Sequence, residues 1–273
     1  MRIVGKHGAD ADQDGVGLRA HLEYARARLR AADRRRLAAG QTGLAVGGNR
    51  ELEHDVRASV AHARDVAGMG AASVPRNARH LVVRSMRATF KLLGGAPPGL
   101  EVVCANRIPH GRGLGSSAAA IVAGVVAARG LVAGGNERMD DAAALAHASE
   151  LEGHPDNVAA CLLGGLTIAW NDGDGARALK VPTSNALAPV VFVPGSSSST
   201  KAVRKLLPES VPHADAAANA VRLALLVEAL CVHSEELMAA TEDRLHQQYR
   251  TSAMPRTAAL VAELRKAGIP AVV

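Results

Sequence analysis

A glycine-rich segment of this chain carries the residues whose types and spacing are best suited to chemistry. It reads Ile-Pro-His-Gly-Arg-Gly-Leu-Gly-Ser-Ser-Ala-Ala-Ala from Ile108 to Ala120. Its three glycines, at positions 111, 113 and 115, allow positive φ and let the backbone approach a ligand closely. Ser116 or Ser117 is expected to cap the next helix, whose unpaired N–H groups and positive dipole end attract anions. The segment predicts a phosphate-binding loop; a tight strand-to-helix turn with a serine cap is the plainer alternative.

The loop differs from the two commonest nucleotide-binding loops. It is not a Walker A loop, because no Gly-Lys-Ser/Thr ends it. It also fits a Rossmann fingerprint poorly, since paired serines and an alanine run follow the last glycine. The full string Pro-x-x-x-Gly-Leu-Gly-Ser-Ser-Ala-Ala is far more restrictive than a glycine-rich loop alone.

A second polar string, Glu-Leu-Glu-Gly-His-Pro-Asp-Asn-Val, runs from Glu150 to Val158. From the residues alone, Glu150 is a solvated helix carboxylate, and Asp156 and Asn157 are caps of the following helix. The functional alternative places their oxygens at a metal ion and at an alcohol acceptor.

The two strings, in this order, resemble a known family. The glycine loop resembles the phosphate-binding loop of the GHMP kinases, and Gly-His-Pro-Asp-Asn resembles the homoserine kinases among them. The resemblance implies transfer of the ATP γ-phosphoryl group to the hydroxyl of L-homoserine, giving O-phospho-L-homoserine and ADP, with Mg²⁺, in threonine biosynthesis. It also implies an α+β fold of two domains: a βαβ-rich N-terminal domain with a left-handed crossover, and a ferredoxin-like C-terminal domain.

The resemblance assigns roles residue by residue. The Mg²⁺ ligands are Glu150 and Ser117, with Ser116 as the alternative hydroxyl. Asp156 polarises the acceptor alcohol or accepts its proton, and Asn157 orients the substrate. His154 lies beside the substrate, where a structural role is the alternative. The residues that bind ATP are Pro109, His110, Gly111, Arg112, Gly113, Leu114, Gly115, Ser116 and Ser117.

Two arginines complete the expected site. Arg204 and Arg250 match positions where homoserine kinases bind the substrate carboxylate, and the guanidinium group does this bidentately. Gln248 and Tyr249 stand where the family often has Glu-Pro. Without the resemblance, both arginines would be ordinary surface residues.

Composition limits the partners. The net charge is +6 and the pI about 9.6, and residues 1–73 are especially rich in arginine. Aromatic residues make up 2% of the chain, too few for base-stacking nucleic-acid modules. No apolar run is long enough for a membrane span. The three cysteines, widely spaced among apolar neighbours, indicate reduced thiols of a cytoplasmic protein without zinc. We expect a small-molecule substrate and no nucleic acid or membrane partner, and a homodimer is compatible with the family.

Three regions are expected. Residues 1–73 are an atypical Arg/Ala-rich segment, read as a divergent replacement, a disordered basic leader or an out-of-frame translation. Residues 74–185 are the ATP-binding domain and residues 186–273 a truncated C-terminal domain. The resemblance is expected to begin near Val74 and to lack the N-terminal and C-terminal motifs of the family, which predicts reduced thermal stability. The alternative functions are a scaffold that binds nucleotide without turnover, and a GHMP kinase with another acceptor.

The spacing of apolar residues, and the residues that typically begin or end helices, predict the secondary structure. Helices are expected over residues 18–29, 51–67, 81–93, 118–133, 140–152, 158–163, 200–207, 215–232, 234–249 and 256–267. Strands are expected over residues 100–106, 164–170 and 189–194, with another beginning at 268–273. The helix over 215–232 is expected to bury Ala218, Leu225, Val227 and Leu230.

Overall fold

The computed structural model of the chain describes residues 2–4, 63–95, 102–194 and 206–273, with residues 2–4 and 63–67 described by backbone alone. These residues form two compact units. The first, here called the core unit, comprises residues 63–110 and 114–180. The second, the C-terminal unit, comprises residues 181–273 together with residues 2–4 and 111–113.

Runs of helices and runs of short strands follow one another along the chain, which confirms the α+β class. In chain order the elements are β1 (Arg2–Val4), β2 (Ala63–Gly68), α1 (Leu81–Leu93), β3 (Val102–Asn106), α2 (Ser116–Leu131), α3 (Gly135–Arg138), α4 (Asp141–Glu152), α5 (Asp156–Leu163), β4 (Leu166–Asp172), β5 (Gly175–Val181), β6 (Val191–Val193), α6 (His213–Cys231), a 3₁₀ turn (Ser234–Glu236), α7 (Leu237–Ala240), α8 (Gln247–Arg250) and α9 (Pro255–Lys266). The left-handed crossover and the ferredoxin-like arrangement stay predictions of the resemblance.

A parallel β2–α1–β3 unit leads into the glycine loop. β2 pairs with β3 in parallel, with Gly68 opposite Asn106. The helix predicted over residues 51–67 is therefore wrong at its end, because residues 63–67 belong to β2. Pairing with β3 satisfies backbone groups of both strands, and this outweighs the weak local helix propensity of the Ala/Arg-rich sequence.

Apolar packing of α1 against α2 forms the centre of the core unit. α1 buries Val82, Met86 and Phe90, and α2 is apolar on nearly every face. The two helices touch at Gly124, where a Cβ atom would lie 2.6 Å from the carbonyl oxygen of Val82. Glycine and alanine therefore set the spacing of the helix pair.

Other core-unit predictions are also confirmed. α1 ends at Gly94, whose φ is 63°, and Asp140 caps α4 by accepting a hydrogen bond from the Ala143 N–H at 2.8 Å. Cys104 and Cys161 are buried and form no disulfide bond, and burial raises the pKa of Cys104 to about 11. β4 continues to Asp172 and pairs with β5, which the sequence analysis missed.

The C-terminal unit departs further from expectation. α6 forms as predicted but buries Ala229 alone, while the four residues expected on its buried face are only half-buried. The helix predicted over 234–249 is wrong, since the chain there forms the 3₁₀ turn, α7, a bend and α8. The strand predicted at 268–273 is also wrong: no strand forms in this described segment. β6 forms and pairs antiparallel with β1.

The predicted helices over residues 18–29 and 200–207 lie outside the described residues, apart from the last two positions of the second. Among the helices that the structure describes, none combines the length and apolar character needed to cross a membrane.

Candidate active site

The glycine loop has the conformation that its composition predicts. Gly111, Gly113 and Gly115 have φ values of 65°, 72° and 68°, in the left-handed region that glycine tolerates best. No other residue type has positive φ anywhere in the described chain. The loop therefore depends on its three glycines to bring backbone to the start of α2.

The expected serine cap of α2 is wrong. Gly115 is the N-cap residue, and no side chain accepts a hydrogen bond from the first turn. Ser116 and Ser117 already lie inside the helix, because the left-handed turn at Gly115 starts it one residue earlier. The first-turn N–H groups consequently keep their capacity to bind an external acceptor.

The hydroxyl group of Ser117 has a different partner. Its Oγ donates a hydrogen bond to Oε1 of Glu152 at 2.6 Å. Glu150, the carboxylate expected beside Ser117, is 81% exposed and lies 3.9 Å from Nδ1 of His147. The structure therefore brings Glu152, two residues further along α4, to the loop.

The second polar string also meets the loop. Asn157 lies in the first turn of α5, and its Oδ1 is 3.5 Å from the point where a Cβ atom on Gly115 would lie. The N-termini of α2 and α5 thus lie side by side. Two positive dipole ends at one place favour the binding of an anion here.

Asp156 lies at the start of α5, with its side chain 64% exposed. Its Oδ1 is hydrogen-bonded to Nδ1 of His154 and accepts the Asn157 N–H at 2.8 Å. The sequence alternative, in which Asp156 and Asn157 cap α5, is wrong, because Pro155 is the N-cap residue and both predicted caps lie inside the helix. An oriented, solvent-accessible carboxylate therefore stands beside the two helix ends.

The remaining expected residues divide between the units. Pro109 and His110 are half-buried at the loop entrance, and Ser116 Oγ is 3.5 Å from His110 Nδ1. Arg112 is half-buried and Leu114 is exposed. Arg250 lies in α8 of the C-terminal unit, with its Nε buried and unpaired within the described structure. Arg204 lies outside the described residues.

Sequence reasoning missed two residues next to the loop. One is Glu152, which follows Glu150 by two positions and has the same chemistry. The other is Asn106, the last residue of β3, which is 5% exposed and bonds to the loop entrance. The sequence contained an indication of its role, because a polar residue at the end of an apolar strand needs nearby hydrogen-bond partners for its amide group.

Comparison with known proteins identifies the family. A family model with the description "GHMP kinases N terminal domain" matches residues 80–165. The homoserine kinase of Streptomyces coelicolor is 59% identical over 234 residues, covering 85% of this chain and 74% of the relative. That of Streptomyces avermitilis is 61% identical over 209 residues, covering 77% and 68%.

Two solved structures are similar as well. The homoserine kinase of Cytophaga hutchinsonii has a TM-score of 0.60 at 26% identity, covering 72% of this chain and 62% of that structure. A Listeria monocytogenes structure, with a TM-score of 0.55 at 22% identity, has the same fold. The chain thus spans somewhat less than two thirds of the Cytophaga structure.

The extent of the first match corrects one expectation. Residues 74–273 are too few to contain a match of 234 residues, so the match to the Streptomyces coelicolor relative extends upstream of Val74. The expectation that the resemblance begins near Val74 is therefore wrong. β2, within residues 63–68, agrees with this correction.

Proposed function

The chain belongs to the homoserine kinases of the GHMP kinase family, and on that premise we propose that it transfers the ATP γ-phosphoryl group to the hydroxyl of L-homoserine. The products are O-phospho-L-homoserine and ADP, and the step belongs to threonine biosynthesis. The observation that carries the proposal is the meeting of Gly115 and Ser117 of the loop with Asn157 and Glu152 of the second polar string.

The glycine loop and the start of α2 bind the ATP phosphates. The uncapped N–H groups of the first turn donate to phosphate oxygens, and each helix dipole adds about 0.3–1 kcal/mol, more where the site is partly buried. The N-terminus of α5 adds a second dipole beside Gly115. Pro109, His110, Arg112 and Leu114 shape the loop around the phosphates in this proposal.

Mg²⁺ fits the oxygens at the start of α2. Mg²⁺ is usually held by one or two carboxylates, with phosphates and waters completing its octahedral shell. Ser117 Oγ and Glu152 Oε1 lie 2.6 Å apart and offer a hydroxyl and a carboxylate oxygen. Glu150, proposed from the family resemblance, would have to turn from solvent to contribute. When bound there, Mg²⁺ would supply neutralisation of the phosphate charge.

Asp156 polarises the acceptor hydroxyl and takes its proton as the oxygen bonds to the γ-phosphorus. The bond from that phosphorus to the bridging oxygen breaks at the same time, and ADP leaves with the electron pair. In a loose transition state the nucleophile has little proton to lose early, so the reaction does not require a strong base. His154 holds the carboxylate in place, and Asn157 orients the substrate.

Arg204 and Arg250 bind the carboxylate of homoserine in this proposal. The unpaired Nε of Arg250 supports the assignment, because a buried guanidinium N–H without a partner favours an anionic ligand. The cytoplasmic location and a homodimer are further parts of the proposal. The cysteines without disulfide bonds support the first, and a sedimentation measurement decides the second.

The decisive experiment is coupled ADP release by the purified chain with ATP and Mg²⁺. L-homoserine is compared with mevalonate, galactose and no acceptor. We expect turnover with homoserine alone, and a loss of at least about 100-fold in Asp156→Asn, as for a lost catalytic acid–base group. Arg204→Ala should also lose activity sharply, because it removes a proposed ligand of the substrate carboxylate. Asp174→Asn, which alters an exposed turn carboxylate, is the matched control. Nucleotide binding without turnover by the folded chain would instead establish the non-catalytic scaffold.

A further inference from the structure

Asn106 joins four groups at the entrance of the glycine loop. Its Oδ1 accepts the N–H of Ile108 at 2.8 Å. Its Nδ2 lies 2.8 Å from the Met69 carbonyl oxygen, 2.9 Å from the Ile108 carbonyl oxygen and 2.9 Å from Nε2 of His110. This set of residues, 69, 106, 108 and 110, is here called the Asn106 clasp.

The clasp holds both backbone groups of Ile108, the residue before Pro109. An amide side chain offers one strong acceptor and two N–H donors, and no other uncharged side chain supplies both in this geometry. The acceptor takes the Ile108 N–H in an Asx turn, and three acceptors, two carbonyl oxygens and the imidazole Nε2, share the two N–H donors. These hydrogen bonds therefore fix the direction of the backbone where it continues from β3 into the loop.

His110 extends the clasp to α2. When Nε2 of His110 accepts from Asn106, the imidazole proton is on Nδ1, which lies 3.5 Å from Oγ of Ser116. Ser116 is the first residue of α2. One connected set of side chains thus links the end of β3, the loop entrance and the start of the helix.

Two glycines at the end of β2 make room for the clasp. A Cβ atom on Gly68 would lie 2.1 Å from the carbonyl oxygen of Asn106, and one on Gly70 would lie 1.9 Å from Cδ2 of His110. The Met69 N–H between them donates to the Asn106 carbonyl oxygen at 2.9 Å. The loop entrance therefore packs directly against the backbone at the end of β2 and just beyond it.

We propose that Asn106 is a positioning residue for the nucleotide, acting through the loop without contacting the phosphates. The inference rests on the proposed function, in which the loop binds ATP. If the clasp is lost, Ile108 and the loop gain conformational freedom that ATP must remove on binding, and ATP affinity falls. Homoserine affinity is unaffected, because its proposed ligands lie elsewhere.

The test compares Asn106→Asp and Asn106→Ala with wild type. Asp keeps the acceptor for Ile108 but replaces the donors with an oxygen, whereas Ala removes both. We expect KM for ATP and Kd for ADP to rise about tenfold, the equivalent of one lost buried hydrogen-bonded group. KM for homoserine should stay within about twofold. Asn136→Asp, an exposed amide in α3, is the control.

A merely structural role gives another result: both KM values unchanged, or shifted together, with kcat lowered by the loss of folded enzyme. That outcome would overturn the inference. If the Asn106 variants do not fold, Gly70→Ala decides, because its methyl group displaces the imidazole and leaves Asn106 intact. Absence of wild-type turnover with homoserine would contradict the proposed function alone, since the ADP titration still tests the clasp.

Discussion

Helix α1 buries seven of its 13 residues, whereas helix α6, with 19 residues, buries Ala229 alone. The difference extends to the units that contain them. Nearly all buried apolar side chains of the described residues belong to the core unit, and Ala229 and Ala240 are those of the C-terminal unit. Apolar packing thus explains how the elements around the candidate site are held in place. It does not explain what holds the C-terminal unit together.

Two polar side chains organise the C-terminal unit instead. Asp243 accepts hydrogen bonds from the backbone N–H groups of residues 245, 246 and 247 and from Asn219 Nδ2. Arg265 donates to Thr241 Oγ1 at 2.7 Å and to the Met238 carbonyl oxygen at 2.8 Å. Burial alone would raise the pKa of Asp243, but these hydrogen bonds outweigh it and hold the pKa at about 2.

Because different interactions stabilise the two units, we expect them to respond to different perturbations. Apolar packing depends on side-chain volume and does not change with pH. A carboxylate that organises backbone N–H groups depends on its charge. The four predictions below separate these cases, beginning with the largest expected effect.

Met86→Ala should have the largest effect on stability. Met86 is fully buried between α1 and its neighbours, and truncation of such a side chain costs about 2–5 kcal/mol through lost burial and the cavity that remains. Urea unfolding followed by circular dichroism measures the free energy of unfolding. Met69→Ala, at an exposed methionine, is the control; an equal loss in both variants would contradict a core centred on α1.

Asp243→Asn should destabilise the C-terminal unit by about 1.5–3 kcal/mol, the range for a hydrogen bond to a charged group. The amide keeps one oxygen acceptor but turns an NH₂ group toward backbone N–H donors. Proteolysis within residues 234–250 should accelerate while the core unit stays resistant. The matched variant Asp174→Asn should match wild type, and a similar sensitivity in both would refute the special role of Asp243.

The stability difference between wild type and Asp243→Asn should depend on pH. The folded pKa of about 2 is below the ordinary value of 3.8, so the carboxylate contributes fully above pH 3.8 and loses its contribution as pH falls toward 2. The difference should therefore be constant between pH 7 and 5 and shrink from pH 4 to pH 3. Urea unfolding at each pH measures it, and a difference that stays constant to pH 3 would exclude the charge as the cause.

Leu223→Ala should have the smallest effect, within about 0.5 kcal/mol of wild type, as for other exposed substitutions. Leu223 lies on α6 and is 64% exposed. Thermal melting beside Leu93→Ala, at a buried leucine of the core unit, gives the comparison. A loss in Leu223→Ala as large as that of Leu93→Ala would show that this face of α6 is covered in solution.

Local residue chemistry made much of the candidate site predictable. The positive φ values of the three loop glycines, the cap at Asp140 and the end of α1 at Gly94 depend on a few neighbouring residues. The helix predicted over 234–249 failed because its apolar spacing continued through Asp243, whose side chain instead binds backbone beyond it. Its partner Asn219 lies 24 positions away, and spacing along the chain does not reveal such a contact.

Local sequence also could not distinguish between neighbouring candidate residues of the site. Glu150 and Glu152 have the same chemistry, and the rotation of α4 against α2 decides which one meets Ser117. Ser116 and Ser117 were equal candidates for the cap, and the left-handed turn at Gly115 excluded both. One residue along a helix changes the direction of a side chain by about 100°, so the two positions from Glu150 to Glu152 change it by about 200°.

Residue types in short stretches of sequence were sufficient to predict the family, the α+β class and a phosphate loop together with a Gly-His-Pro-Asp-Asn string. Tertiary structure alone decided that β2 supports the loop, that Asn106 holds its entrance and that Glu152 meets Ser117. Such contacts join residues far apart in the chain. Their geometry is set by how whole helices and strands pack, and no single segment contains that information.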